Sequence, residues 1–142
     1  MRRTRIPSEV VPAPPELDAG FIFWARTGLE DWEDVRVELA EAFEGSKAAA
    51  VSEESIVYVV SNDALLGRSG APAAMVAAGL LSGARTAAIE GSRKGWTANV
   101  LAYDSVVDEA DVLEHAVRLL ENGLVTGELI HLGPGHIGKA LA

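Results

Sequence analysis

Two kinds of apolar pattern alternate along this chain. One is the short continuous run: Gly20-Phe21-Ile22-Phe23-Trp24-Ala25, then Ile56-Val57-Tyr58-Val59-Val60, then Thr97 to Ala102, then Thr126 to Leu132. Runs of this length, rich in β-branched and aromatic residues and bounded by turn residues, predict strands buried on both faces, as in a parallel sheet. The other pattern has helical spacing. Trp32, Val35, Leu39, Ala42 and Phe43 make one stripe and predict a helix over 31–50. Glu33, Asp34, Arg36, Glu38, Glu41 and Glu44 are then expected mostly on its outer face, with Glu38 a solvated glutamate. A third helix is expected from Asp108 to Asn122, with Asp108 as N-cap, Gly123 as C-cap, and Val112, Ala116, Val117 and Leu120 as its stripe.

The organising unit runs from Ser55 to Asp104. A strand ends at Ser61, a turn containing Gly67 and Gly70 follows, and a helix over 71–91 leads into the next strand. Strand, long helix and strand again predict a βαβ unit in a parallel sheet. The helix over 71–91 is unusual. Ala73, Met75, Val76, Ala77, Leu80, Leu81, Ala84, Ala88 and Ile89 cover nearly its whole circumference. A helix apolar all round is buried on both sides. One side faces the sheet, and the other needs a neighbour. Gly79, Ser82 and Gly83 would let another helix come close.

Length and composition narrow the picture. At 142 residues with 49% apolar residues, the chain is one domain with ample material for a core. Residues 1–19 carry Pro7, Pro12, Pro14 and Pro15 and predict an irregular arm, with Glu9-Val10-Val11 at most a short edge strand. Arg2, Arg3 and Arg5 are expected to be a solvated tail of that arm. Residues 20–142 form the domain.

A net charge of −9 argues against nucleic acid and against anionic membrane surfaces, which need Lys and Arg to neutralise phosphate. There is no cysteine, hence no disulfide frame or thiol chemistry. The N-terminal arginines are not followed by an apolar signal segment, and the alanine-rich helix is interrupted by Arg85. These features fit a cytoplasmic protein. His115, His131 and His136 have no metal-type spacing, so no metal site is expected. The glycines near the C-terminus, Gly133, Gly135 and Gly138, do not open a helix after a strand, and are expected in a flexible tail rather than a phosphate site.

Several of these residues also fall into a known order. Ser61 ends a strand, Glu90 and Gly95 close the long helix, and Ala98-Asn99-Val100-Leu101-Ala102 follows. The stretch resembles the second half of a short-chain dehydrogenase/reductase. Family members carry a catalytic serine at such a strand end, then a tyrosine and a lysine on the helix, then E-x-x-x-x-G-I-x-V-N-x-x-x-P-G. Reading back from Glu90, the places of tyrosine and lysine are taken by Ala73 and Ala77. Tyr103-Asp104 stand near the place of Pro-Gly. Trp32, Val35, Val37, Leu39 and Phe43 echo an earlier helix of the family once one residue is deleted, and put Glu38 where the family has asparagine. Thr126-Gly127 and Leu132-Gly133-Pro134-Gly135 echo its last strand, and only one helix fits between Tyr103 and Thr126, where active relatives have a longer lid.

The resemblance implies an α/β chain with a truncated Rossmann-like, three-layer fold of about four parallel strands and flanking helices. It implies no catalysis of the family's kind. The tyrosine passes the proton, the lysine lowers its pKa, and the serine hydrogen-bonds the reacting oxygen. Only Ser61 remains, as a remnant. No G-x-x-x-G-x-G occurs in the chain, so no dinucleotide cofactor is expected. Family members pair two helices into a four-helix dimer contact, which implies a homo-oligomer, or a full-length reductase as partner, through helices 31–50 and 71–91. The expected function is a non-catalytic subunit acting in assembly. The alternative is a small-molecule binding protein or atypical enzyme that uses the strand end at Ser61, Asn62 and Asp63. One fold problem follows: the strand at Phe21–Ala25 becomes an apolar sheet edge, which oligomerisation or the N-terminal arm must cover.

Overall fold

The structure, a computed structural model, describes residues 5–6 and 20–134. The elements run β1 (Phe21–Trp24), α1 (Trp32–Val51), β2 (Ile56–Ser61), α2 (Asn62–Leu65), α3 (Ala71–Ser92), β3 (Ala98–Tyr103), α4 (Glu109–Glu121) and β4 (Leu129–Leu132). The strands form one parallel sheet in the order β1-β2-β3-β4. This is the α/β fold that the alternation of apolar runs and helical stripes predicts.

Alternate residues of each strand feed two separate cores, because side chains along a strand point to opposite faces. Phe21, Phe23, Ile56, Tyr58, Val60, Ala98, Val100 and Ala102 meet α1 and α3 on one face. Ile22, Trp24, Val57, Val59 and Leu101 meet α4 on the other. Right-handed crossovers put the first two long helices on the same side. The result is three layers, with two helices on one face and one on the other.

The seat of α1 differs from the expected stripe. Its N-terminus is fixed by a capping box between Asp31 and Asp34. Its buried residues are Val35, Glu38, Ala42 and Ala49, whereas Trp32 and Phe43 are 64% and 63% exposed. The reason is steric. The sheet presents large side chains here, and α1 meets them with small ones: a Cβ on Gly45 would lie 2.1 Å from the Phe21 ring. The helix therefore turns its alanine and glycine line inward and leaves its largest aromatics outside. Glu38 lies on that inward line, so the expectation of a solvated glutamate is wrong.

At the far edge, β4 starts later than the run from Thr126 suggests. Gly127 has a positive φ of 75° and breaks the strand geometry. Thr126 Oγ1 accepts from the Ala98 amide at 3.2 Å, and the Gly127 amide donates to the Ala98 carbonyl at 2.8 Å. Asn99, fully buried, completes the tie: its Nδ2 donates to the Val125 carbonyl and its Oδ1 accepts from the Glu128 amide. Both halves of the amide are used, and Asn99 is a structural brace. Helix α4 begins after Asp108, whose side chain makes no capping bond, and its C-cap is Asn122 rather than Gly123. Gly133, expected in a flexible tail, sits at a φ of 113° with Asp104 Cβ 2.4 Å from where its own Cβ would be. Glu9-Val10-Val11 and the glycines beyond residue 134 lie outside the described residues.

Candidate functional site

Ser61 is the last residue of β2 and the N-cap of α2, a short helix that the sequence pattern did not predict. Its Oγ accepts from the Ala64 amide at 3.1 Å. The hydroxyl is thus engaged in ending a strand and starting a helix, a job serine does well because its oxygen reaches the third amide on. Ser61 lies on the rim of a cavity of about 60 Å3. Arg26, Thr27 and Gly28 form one wall, and Ala73 and Ala77 of α3 form the other. Ala73 and Ala77 share this cavity with Ser61 and offer no group that can carry a proton. The volume holds a few waters, whereas pockets for small organic ligands run to about 300 Å3 and more.

Two polar side chains around this strand end, Asp63 and Tyr103, have partners. Asp63 is half-exposed and faces Arg68 at 4.0 Å. The Tyr103 hydroxyl accepts from Trp24 Nε1 at 3.3 Å. Burial pushes the Tyr103 phenol above its ordinary pKa, against the lowering effect of the Trp24 hydrogen bond, so it stays protonated at neutral pH. Asn62 is buried, and neither polar atom of its amide has a hydrogen-bond partner among the described residues. No group of three or more His, Asp or Glu among the described residues could hold a metal ion.

A second constellation lies at the outer edge of β1. Glu38 is 1% exposed. Its carboxylate receives Arg5 as a fork, Nη1 to Oε1 at 2.5 Å and Nη2 to Oε2 at 2.7 Å. The same carboxylate accepts from the Arg26 amide at 3.0 Å, and Arg26 Nε stands 3.3 Å from Oε1. Arg5 Nη2 also donates to the Trp24 carbonyl, Nη1 to Glu41, and the guanidinium lies 4.1 Å from the centre of the Phe23 ring. Arg5 is therefore not part of a solvated tail. Its backbone pairs in parallel with Phe23: the Arg5 amide donates to Ile22, and the Trp24 amide donates to Arg5. The expected covering of the β1 edge by the arm is present at Arg5. Arg2 and Arg3 lie outside the described residues.

A signal for Glu38 was present. Val35, Glu38, Ala42 and Ala49 sit three, four and seven apart, on one helical face. The sequence held no pointer to Arg5 as its partner, 33 positions away.

The third feature is a groove of about 540 Å3 between α1 and α3. Leu39, Phe43 and Val51 of α1 and Gly79 and Gly83 of α3 line it, with Tyr58 and Trp96 below. The Tyr58 hydroxyl is hydrogen-bonded to Ser46, and burial raises its pKa against the lowering effect of that bond. Large apolar side chains of the two helices stand in water: Phe43 and Val51 of the groove lining, Trp32 elsewhere on α1, and Met75 and Ile89 on α3, from 49% to 79% exposed. Helix α3 is long and apolar enough to cross a membrane by length and composition. Its face from Ala73 through Val76, Ala77, Leu80, Ala84 and Ala88 lies against the sheet.

No protein-family model matches the sequence, and no curated protein matches it. Solved structures do. An oxidoreductase of the short-chain dehydrogenase/reductase family from Burkholderia thailandensis superposes with a TM-score of 0.66 at 18% identity, over 82% of this chain and 64% of that one. A structure described as a short-chain dehydrogenase/reductase from Burkholderia xenovorans gives 0.68 at 17% identity, with the same coverage. The chain thus spans less than two thirds of the length of these structures. Its fold is that of the short-chain dehydrogenase/reductase structures, in a truncated Rossmann-like form of four parallel strands with flanking helices.

Proposed function

We propose that this chain is a non-catalytic subunit with the fold of short-chain dehydrogenases, acting in assembly through the outer faces of α1 and α3. The observation that carries the reading is the set of five large apolar side chains left in water on those two helices. Contiguous apolar patches of more than a few hundred Å2 on soluble proteins mark interaction sites. The partner is a second copy of this chain or a full-length reductase of the same fold, in the cytoplasm. The strand end at Ser61 supports no proton-transfer chemistry of the family's kind, since Ala73 and Ala77, which line the same water-sized cavity, carry no titratable group. The unpartnered amide of Asn62 favours the alternative, a ligand held at that strand end; the small volume beside Ser61 speaks against it.

Gly83→Glu tests the assembly role. A Cβ at Gly83 would meet no atom within 4 Å, so the variant leaves the subunit's own packing intact. It places a carboxylate on the proposed contact, where an unpaired buried charge costs several kcal/mol. By light scattering the wild type should be a dimer or tetramer at micromolar concentration and the variant a monomer. Equal masses for the two would refute the role of this face in self-assembly.

A second expected result concerns cofactor. Calorimetric titration of the wild type with NADH or NADPH should show no micromolar binding, because no glycine-rich turn is present to approach a pyrophosphate. Tight saturable binding would contradict the non-catalytic reading.

A further inference from the structure

The groove between α1 and α3 adjoins a second hollow of about 480 Å3, and the two share Ala50, Glu90 and Trp96 in their linings. The groove is lined mainly by apolar side chains. The second hollow is bounded by Arg93 and Lys94, and Lys47, one helical turn before the shared Ala50, lines the groove. An apolar trough thus runs into a cluster of three cations.

Those cations stand out in a chain of net charge −9. Arg5, Arg26, Arg36, Arg68 and Arg118 each have a carboxylate within 4.0 Å. Lys47, Arg93 and Lys94 are exposed and have none among the described residues. Arg85 also has none, but it lies outside both linings. Glu90 is the one acidic side chain in the two linings, against three cations. Trp96 supplies an independent sign. It is 4% exposed, and its indole Nε1 has no hydrogen-bond partner. A buried donor left unpaired is costly, and this one belongs to a residue shared by the apolar groove and the cationic hollow. Sites for small molecules have this make-up: several hundred Å3, mostly apolar, with a few polar groups that fix one end of the ligand.

We propose that the groove binds a medium-chain alkyl carboxylate. The alkyl chain lies between α1 and α3, against Leu80 and Tyr58. The carboxylate sits among Lys47, Arg93 and Lys94 and accepts from Trp96 Nε1. The lengths agree. The lining runs along α3 from Gly79 to Glu90, about 16 Å at 1.5 Å per residue. An extended chain of about twelve carbons, with C–C bonds of about 1.5 Å in a zigzag, spans about 14 Å. This goes beyond the assembly role and does not depend on it. A groove lies below the crests of the helices that flank it, so an occupant there is compatible with a subunit across the crests.

The test is calorimetric titration of the full chain with dodecanoate below its micelle concentration. Saturable binding at micromolar concentration is expected, and dodecyltrimethylammonium, with the same chain and the opposite charge, should bind at least tenfold more weakly. The double variant Arg93→Gln with Lys94→Gln should weaken dodecanoate binding at least tenfold. Glu90→Gln should tighten it severalfold, because it removes the like charge. In the nuclear magnetic resonance spectrum the Trp96 indole N–H should shift on binding, while that of Trp24, on the other face of the sheet, should not. No saturable binding, equal binding of the cationic amphiphile, an unaffected double variant, or an unmoved Trp96 resonance would overturn the proposal. Light scattering separates it from the assembly reading. A monomeric wild type that binds dodecanoate sustains this inference and refutes self-assembly; an oligomer that does not bind it does the reverse.

Discussion

Glu38→Ala should destabilise the domain by about 3 kcal/mol, read as a fall in the urea midpoint at fixed protein concentration. Breaking a buried ion pair by removing one partner costs roughly 3–5 kcal/mol, because the other charge is left uncompensated. Glu38 serves two guanidinium groups and a backbone amide at once. The lower end of the range applies because both arginines reach solvent, at 24% and 55% side-chain exposure, and Glu41 remains beside them. Glu38→Gln should cost less, since an amide oxygen still accepts from the Arg26 amide. An effect below about 1 kcal/mol for Glu38→Ala, the level of an exposed ion pair, would show that the cluster does not hold the β1 edge.

Gly91→Ala is the second large effect. Alanine favours a helix over glycine by about 1 kcal/mol, so the local expectation is a gain. The packing reverses it. A Cβ at this position would lie 2.4 Å from the Trp96 carbonyl oxygen and 2.6 Å from two atoms of its indole ring. The first obstacle is backbone, and it belongs to the turn that carries the chain from α3 into β3. That turn is tied back to Gly91 itself, whose carbonyl accepts from the amides of Lys94, Gly95 and Trp96. Relief therefore requires moving the turn, and overpacking of this kind costs about 1–3 kcal/mol. We expect a net loss of about 2 kcal/mol in the same urea experiment. A variant as stable as the wild type would show that the α3–β3 turn has room that the packing denies.

The four strands and three long helices were legible because the two apolar periods are clean: continuous runs for strands buried on both faces, and spacing of three and four for the helices. What the periods could not reveal was the rotation of α1. Trp32 and Phe43 looked like core because they are large and apolar. Which helix face turns inward depends on the shape it meets, and Phe21 leaves room there only for Gly45 and its small neighbours. Glu38 was misplaced for the same reason. Its burial is permitted by Arg5, a residue remote in sequence that pairs beside β1.

The strand end at Ser61 was legible in outline. The run Ile56–Val60 ends where predicted, and alanines 73 and 77 line the same cavity as the serine. The capping bond of Ser61 to α2 was hidden because no apolar period marks a helix of four residues.

The proposed assembly role requires the outer faces of α1 and α3 to be buried against another subunit. Sedimentation equilibrium of the wild type, run from sub-micromolar to tens of micromolar concentration, tests it most directly. The expected result is a dimer or tetramer whose association constant falls by orders of magnitude in Gly83→Glu. A wild type that remains a stable monomer across the range, with Trp32, Phe43 and Ile89 still in water, would contradict self-assembly through this face.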